Sequence, residues 1–347
     1  MRRVEVGGVK NPYEVLIGEG ILNELGTVLK SVVNAEKAVI ITDDNVDRLY
    51  SDEVKDILQE SGFEVLKFVF AHGEKHKTMD TVSNILEYMA QNNITRTDCI
   101  VALGGGITGD ISGFCAASYL RGIDFVQVPT TFLAAIDSSV GGKTGVNLKS
   151  GKNLAGAFYQ PRAVVCDTKT FKTLPEENFK EGVAEAIKYG IICDRDLFNT
   201  LSKASEWNIE EVIERCVCIK AEIVSEDEFD IGKRQLLNLG HTIGHAIEKC
   251  TDFSITHGIA VGIGMAMISR ASDGLGWSKE KTNIKIIEAL ENNGLLTECS
   301  ISTDELLEAM FRDKKRKGGF ITLVIPESIG NSVLKKIPID ELLKILI

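Results

Sequence analysis

The sequence predicts an α/β protein in two parts: an N-terminal parallel sheet with helices between its strands, then a mainly α-helical second half. Three observations predict it. Apolar runs at 37–42, 99–103, 125–129 and 164–167 are separated by helix-length amphipathic stretches, the pattern of parallel strands joined by right-handed crossovers. From residue 176 onward the apolar period is helical, with one strand-like run at 320–325. A chain of 347 residues exceeds what one core ordinarily organises. A boundary at Thr173-Leu-Pro175 is expected, dividing 1–175 from 176–347.

In the first half, Tyr13–Gly18 reads as a strand, with Gly20 and a short helix to Leu29 after it. Lys37–Thr42 is a buried strand ending in Asp43, Asp44 and Asn45. A helix across 52–61 leads to Gly62 and a strand at 63–70; helix 78–92 sets Val82, Ile85, Leu86 and Met89 on one face. Cys99–Leu103 runs into Gly104-Gly105-Gly106-Ile-Thr-Gly109-Asp110, and a helix over 111–120 ends at Arg121-Gly122. Such a turn either brings backbone amides to a phosphate at a helix N-terminus or is simply tight. Phe125–Pro129 carries Thr130 and Thr131 at its end, where ligands collect in open α/β sheets.

Residues 137–156 hold several glycines with Lys143, Lys149, Lys152 and Asn153. Gly-Gly-Lys-Thr is not a triphosphate loop here, because Asp137 stands where its first glycine belongs. The stretch reads as an anion-binding loop or a solvated one.

The second half reads as helices at 176–192, 195–203, 208–226, 233–250, 258–275, 279–292 and 303–312. The helix after His257 is apolar nearly all round, hence central. His241 and His245 lie one turn apart on one helix face, and His257 follows. They suit a divalent cation if a carboxylate completes the set; the alternative is buried histidines bonded to carbonyls. Glu185 is either that carboxylate or the partner of Lys188 in an i,i+3 pair. The run 313–317 is a solvated charge cluster or, before Gly318-Gly319, a phosphate-binding turn.

Composition narrows the function. The net charge of −11 argues against nucleic acid as a main partner. The eight cysteines have no framework spacing, which suggests reduced thiols in a cytoplasmic protein. No run reaches the ~18 apolar residues of a membrane span.

The ordered motifs resemble the 3-dehydroquinate synthase family along nearly the whole chain. They are Gly73-Glu74-x-x-Lys77, the Gly104–Asp110 turn, Arg121-Gly, Pro129-Thr-Thr131 and Asp137-Ser-Ser-x-Gly-Gly-Lys143-Thr-Gly. Lys152-Asn153, Glu181-Gly-Val-Ala-Glu185-Ala-Ile-Lys188-Tyr-Gly190, Lys220-Ala, Asn238-Leu-Gly-His241-Thr-x-Gly-His245-Ala-x-Glu and His257-Gly follow.

The resemblance implies a Rossmann-like NAD-binding domain, a helical metal- and substrate-binding domain, and an active site in the cleft between them. It implies Glu185, His241 and His257 as ligands of zinc, with cobalt as an alternative, and makes His245 a substrate-phosphate contact. NAD-contact positions fall on Asp43, Asn45, Glu74, Lys77, Gly105, Gly106, Asp110, Thr130, Thr131, Lys143, Lys152 and Thr173. Substrate positions fall on Arg121, Asp137, Lys143, Asn153, Lys188, Lys220, Arg234, Asn238, His245 and one of Lys314 and Lys315. Arg121 is expected to act across a homodimer interface. One departure is visible: the family commonly has Glu where Ile259 stands.

The activity implied is conversion of 3-deoxy-D-arabino-heptulosonate 7-phosphate to 3-dehydroquinate and phosphate, on the shikimate route to chorismate and the aromatic amino acids. It proceeds by oxidation with recycled NAD, phosphate elimination, reduction and aldol closure. The substrate carries a carboxylate and a phosphate, so it needs two cationic clamps. Arg234 and Lys220 suit the first; Lys143, Asn153, His245, Arg121 and the Lys314/Lys315 pair suit the second. The competing readings are an inosose-synthase type cyclase, a metal-dependent glycerol or alcohol dehydrogenase, and a non-catalytic NAD or anion sensor.

Overall fold

The computed structural model describes residues 1–203, 207–314 and 319–346, and of 312–314 the backbone only. The chain divides into two compact units, Met1–Leu174 with Ile209–Phe229, and Pro175–Asn208 with Asp230–Ile347. The division is not the single cut expected at 175/176. Helix Ile209–Glu226, read from sequence as part of the helical half, packs in the first unit against β1 (Arg2–Val6), β2 (Tyr13–Gly18) and the turn Ala134–Ser138.

The first unit is built on a seven-stranded sheet. With β3 (Lys37–Asp43), β4 (Glu64–Phe70), β5 (Cys99–Gly104), β6 (Asp124–Pro129), β7 (Lys143–Leu148), β8 (Gly151–Phe158) and β9 (Ala163–Asp167), the sheet order is β1-β2-β9-β6-β5-β3-β4. Only the β1–β2 pair is antiparallel. The parallel strands read as unbroken apolar runs because both faces are covered. Val39 and Ile41 of β3, with Ile100 and Phe125, pack on helices Met79–Gln91 and Gly106–Ser118. Ala38 and Ile40, with Val101 and Val126, pack on helices Leu25–Val32 and Asp52–Glu60.

From β3 the chain steps outward to β4 and then crosses to β5 on β3's other side. The topological switch point, where open α/β sheets bind ligands, therefore lies between β3 and β5 at their carboxyl ends.

Three local expectations are corrected, and a fourth, the strand at 320–325, is extended. The 137–156 loop is largely an antiparallel hairpin, β7–β8, whose alternation the glycines obscure. The helix after β5 starts at Gly106, directly on the turn, rather than at 111. The expected helix 233–250 is two elements, a 3-10 helix Lys233–Asn238 and a helix His241–Cys250, broken where Gly240 takes φ 78°. The run at 320–325 is half of a hairpin, β10 (Phe320–Ser328) with β11 (Asn331–Pro338).

In the second unit, helix His257–Gly274 is the central one, as its all-round apolarity predicts. Around it pack helices Glu176–Cys193, His241–Cys250 and Asn283–Asn292, with β10. Among the described residues, no helix is long and apolar enough to cross a membrane.

Candidate active site

Three helices of the second unit meet closely because glycines let them. A Cβ on Gly264 would lie 2.1 Å from the carbonyl oxygen of Gly240, and one on Gly258 would lie 2.4 Å from Glu181 Cα. One on Gly244 would come within 3.1 Å of the Ala260 carbonyl. These glycines thus make room for a neighbouring helix.

The result is a cluster of side chains from separate stretches of sequence. The Nε2 atoms of His241 and His257 each lie 3.6 Å from Glu185 Oε1. Leu239 O accepts from His241 Nδ1 at 3.1 Å, and Glu248 Oε2 from His257 Nδ1 at 3.4 Å. Carbonyl and carboxylate only accept, so both imidazoles carry a proton on Nδ1, and His241, held neutral by burial, turns an Nε2 lone pair toward Glu185. Glu185 is fully buried and ion-paired to Lys188, yet neither of its oxygens accepts a hydrogen bond.

Lys188 pairs with Oε2, so Oε1 is the oxygen left facing the two imidazole nitrogens, and a lone pair turned to it is repelled unless a cation stands between them. Tetrahedral zinc with bonds near 2.0–2.2 Å separates its ligand atoms by about 3.4 Å, close to the spacing here, whereas hydrogen-bonded atoms sit at about 2.7–3.2 Å. The donor set of Glu185, His241 and His257, whose ligand atoms lie within 4.8 Å of one another, therefore fits a divalent cation.

Charge follows the same geometry. Burial holds the His241 imidazolium well below its usual range, and the Lys188 ammonium and the two other histidines add to that. Burial pushes His257 the same way, but its bond to Glu248 and the charges of Glu185 and Glu248 outweigh burial and raise it.

His245, half of the histidine pair that stands out in the sequence, is exposed, with its ring 5.5 Å from His241's. It falls instead into a second group with Glu248 and His257. Arg234 is fully buried, and Asn238 is exposed at the end of the same 3-10 helix. Lys188 is also buried, with its ammonium 5.1 Å from the Tyr189 ring centre. The Lys314 side chain and all of Lys315 lie outside the described residues.

In the first unit, the parallel registers bring Asp43, Gly104, Pro129 and Asp167 to one edge of the sheet. Asp43 is committed: its Oδ1 accepts from the amides of Asn45 and Val46, and Thr108 donates to Oδ2 at 3.3 Å. Thr130 N donates to Gly104 O, and the Thr131 hydroxyl accepts from Ala134 N. Gly105 caps helix Gly106–Ser118, and Cβ atoms on Gly105 and Gly106 would press on Thr131 and Ser138.

Lys77 donates to Asp110 at 2.6 Å and to Asn153, on the β7–β8 hairpin, at 2.7 Å. Burial raises the Asp110 carboxyl above its usual range, with Lys77 opposing it. Asn147 donates to Glu74 at 2.8 Å, with Lys152 at 4.0 Å from the same oxygen. Lys220 donates to Asp137 O at 2.6 Å and pairs with its carboxylate. Thr173 is bonded to Tyr50; Lys143 is exposed at the start of β7; Arg121 is exposed with φ 70°.

The candidate site residues read from sequence omit Glu248 and Glu181. Glu248 is seven residues after His241, hence on one helix face with it, and that spacing was the available signal. Glu181 accepts from Gly258 N, at the start of the helix that carries His257; burial raises its carboxyl.

The fold is that of solved sugar phosphate cyclases. A solved 2-deoxy-scyllo-inosose synthase with carbaglucose-6-phosphate, NAD+ and Co2+ superposes with a TM-score of 0.90 at 27% identity, covering 99% of each chain. A 2-epi-5-epi-valiolone synthase from Streptomyces hygroscopicus with NAD+ and Zn2+ gives 0.87 at 25% identity, covering 96% of this chain and 95% of that one. Within that class, residues 67–181 match the 3-dehydroquinate synthase N-terminal model and 182–316 the C-terminal model. A 3-dehydroquinate synthase of Clostridium acetobutylicum is 41% identical, covering 100% of this chain and 99% of its own. The chain belongs to the 3-dehydroquinate synthase family.

Proposed function

We propose that this chain is a phosphate-eliminating cyclase that converts 3-deoxy-D-arabino-heptulosonate 7-phosphate to 3-dehydroquinate and inorganic phosphate, with NAD and a divalent cation, zinc or cobalt. The observation that carries the cation is the buried Glu185 carboxylate, whose Oε1 accepts no hydrogen bond and lies 3.6 Å from the Nε2 atoms of both His241 and His257. Family membership carries the substrate. NAD would supply reversible hydride transfer, and a cation held by Glu185, His241 and His257 would supply Lewis acidity.

The chain's own residues bind and orient. Glu185, His241 and His257 hold the cation, with Lys188 beside Glu185. The carboxyl edge around Asp43, Gly105, Gly106 and Thr130 takes the dinucleotide, with amides of helix Gly106–Ser118 turned to its phosphates. Glu74, Lys77, Asp110 and Lys152 border that edge through the hairpin. Lys220, held by Asp137, and Arg234 clamp the substrate carboxylate; Lys143, Asn153 and His245 clamp its phosphate. Fixing both ends selects the reactive conformer. Arg121 joins the phosphate clamp from a second copy in a homodimer.

The test follows phosphate release from the heptulosonate phosphate with NAD and zinc while absorbance at the NADH wavelength is recorded. Stoichiometric phosphate without net NADH is expected. Accumulating NADH would make the protein a dehydrogenase. Turnover of glucose 6-phosphate in place of the heptulosonate would make it an inosose-type cyclase.

A further inference from the structure

We propose that Glu248 is a positioning residue for the cation site, fixing the His257 imidazole and strengthening it as a ligand. The inference rests on the cation reading of Glu185, His241 and His257. His257 is the ligand with both ring nitrogens engaged by carboxylates: Nε2 faces Glu185 at 3.6 Å, and Nδ1 faces Glu248 at 3.4 Å. His241 has a neutral backbone carbonyl, Leu239 O, behind its Nδ1. The two imidazoles are therefore unequal. A carboxylate behind the Nδ1–H makes Nε2 the stronger electron donor and fixes the ring's orientation, and a carbonyl does so more weakly.

The placement of Glu248 serves this purpose. It lies on helix His241–Cys250 with His241, while His257 starts the central helix. The contact thus ties together the two helices that supply the histidine ligands, and it is buried, with Glu248 3% exposed. Glu248 also falls within reach of a second group with His245 and His257. A cation there would need His257 to release its Nδ1 proton and bridge two ions, with exposed His245 completing the set. Positioning needs no such step.

The test is titration of the metal-free enzyme with Co2+, read by equilibrium dialysis and by visible absorption, for the natural protein, E248Q and E248A. The natural protein is expected to bind one Co2+ per chain. E248A should bind about 10- to 100-fold more weakly, with a shifted cobalt band. E248Q, whose amide oxygen still accepts from Nδ1, should fall between them with a nearly natural band. Should E248A fail to fold, weaker binding by E248Q at an unchanged metal-free melting temperature supports the same conclusion. Natural affinity and spectrum in both variants overturn it. Two Co2+ per natural chain, with one lost in E248A, also overturn it, because Glu248 would then be a ligand. No Co2+ bound by the natural protein overturns the cation reading itself, which is a separate result.

Discussion

The carboxyl edge of the first unit and the histidine cluster of the second are both dense in charge, but they are finished differently. At the edge each group already has its answer inside the protein. Lys77 is held by Asp110 and Asn153, Asp43 by three donors, Glu74 by Asn147 and Lys220 by Asp137. In the cluster, Glu185 has the Lys188 ammonium at Oε2, while its Oε1 faces two imidazole Nε2 atoms at 3.6 Å with no hydrogen bond accepted. A ligand at the edge must exchange partners with a network that is stable without it. In the cluster Lys188 answers one oxygen of Glu185, and the other faces a space between two imidazoles that a cation fits.

The largest effect follows from the unfinished side. His241→Ala removes one of the three proposed ligands and should empty the site. The rate of phosphate release should fall by about a thousandfold, or about 4 kcal/mol of barrier. Metal content of the purified variant and steady-state phosphate release check it. A variant that keeps both its metal and its rate would erase the contrast, because the cluster would then be an ordinary buried network.

The two regions were also unequally legible in the sequence. The edge is contiguous: a buried strand runs straight into Gly104-Gly105-Gly106, and alternation of strands and helices gave the sheet. The cluster is assembled from positions 185, 241 and 257, and spacing alone favoured the wrong pair, His241 with His245. Helical periodicity reports which face a residue occupies but not which other helix it meets. The residues offered Glu185 as a possible carboxylate ligand, and the resemblance is what chose His257 over His245 as the second imidazole. The β7–β8 hairpin was obscured because Gly145, Gly151 and Gly156 erase its alternation: a Cβ on Gly156 would lie 2.1 Å from Thr144 O, so close strand pairing demands glycine there. Ile209–Glu226 looked like the helices around it because periodicity does not say in which unit a helix packs.

The finished side predicts a stability effect. Lys77→Met leaves the half-buried Asp110 without its cation and should cost the protein about 1–3 kcal/mol in urea unfolding. Lys77→Met with Asp110→Leu should recover most of that, since an apolar pair of similar volume replaces a buried ion pair at little cost. The sign with pH is also defined. The Asp110 carboxyl is raised when folded, so its contribution is most favourable below the usual aspartate range and is lost as pH rises through the folded value. Removing Lys77 raises that value further, so the single variant should lose more stability toward neutral pH than in acid. A single variant as stable as the natural protein would mean that the lattice at the edge is ornamental to folding.

The smallest effects separate two uses of glycine. Gly264→Ala sets a Cβ against the Gly240 carbonyl at 2.1 Å, a backbone atom that moves only if two helices part. It should cost about 2 kcal/mol or more by overpacking and weaken cation binding with it, because the histidines ride on those helices. Gly106→Ala meets only the Ser138 hydroxyl, at 2.8 Å, and that side chain can turn away. Alanine's better helix propensity offsets part of the contact, so the melting temperature should change by less than about 1 kcal/mol of stability allows. If the amides of that turn carry the dinucleotide's phosphates, the added methyl group stands in their approach, and NAD affinity should fall while cation affinity does not. Separate titrations with NAD and with Co2+ distinguish the two glycines. Loss of cation binding in Gly106→Ala, or of NAD binding in Gly264→Ala with its cation site intact, would show that the regions do not divide the work as proposed.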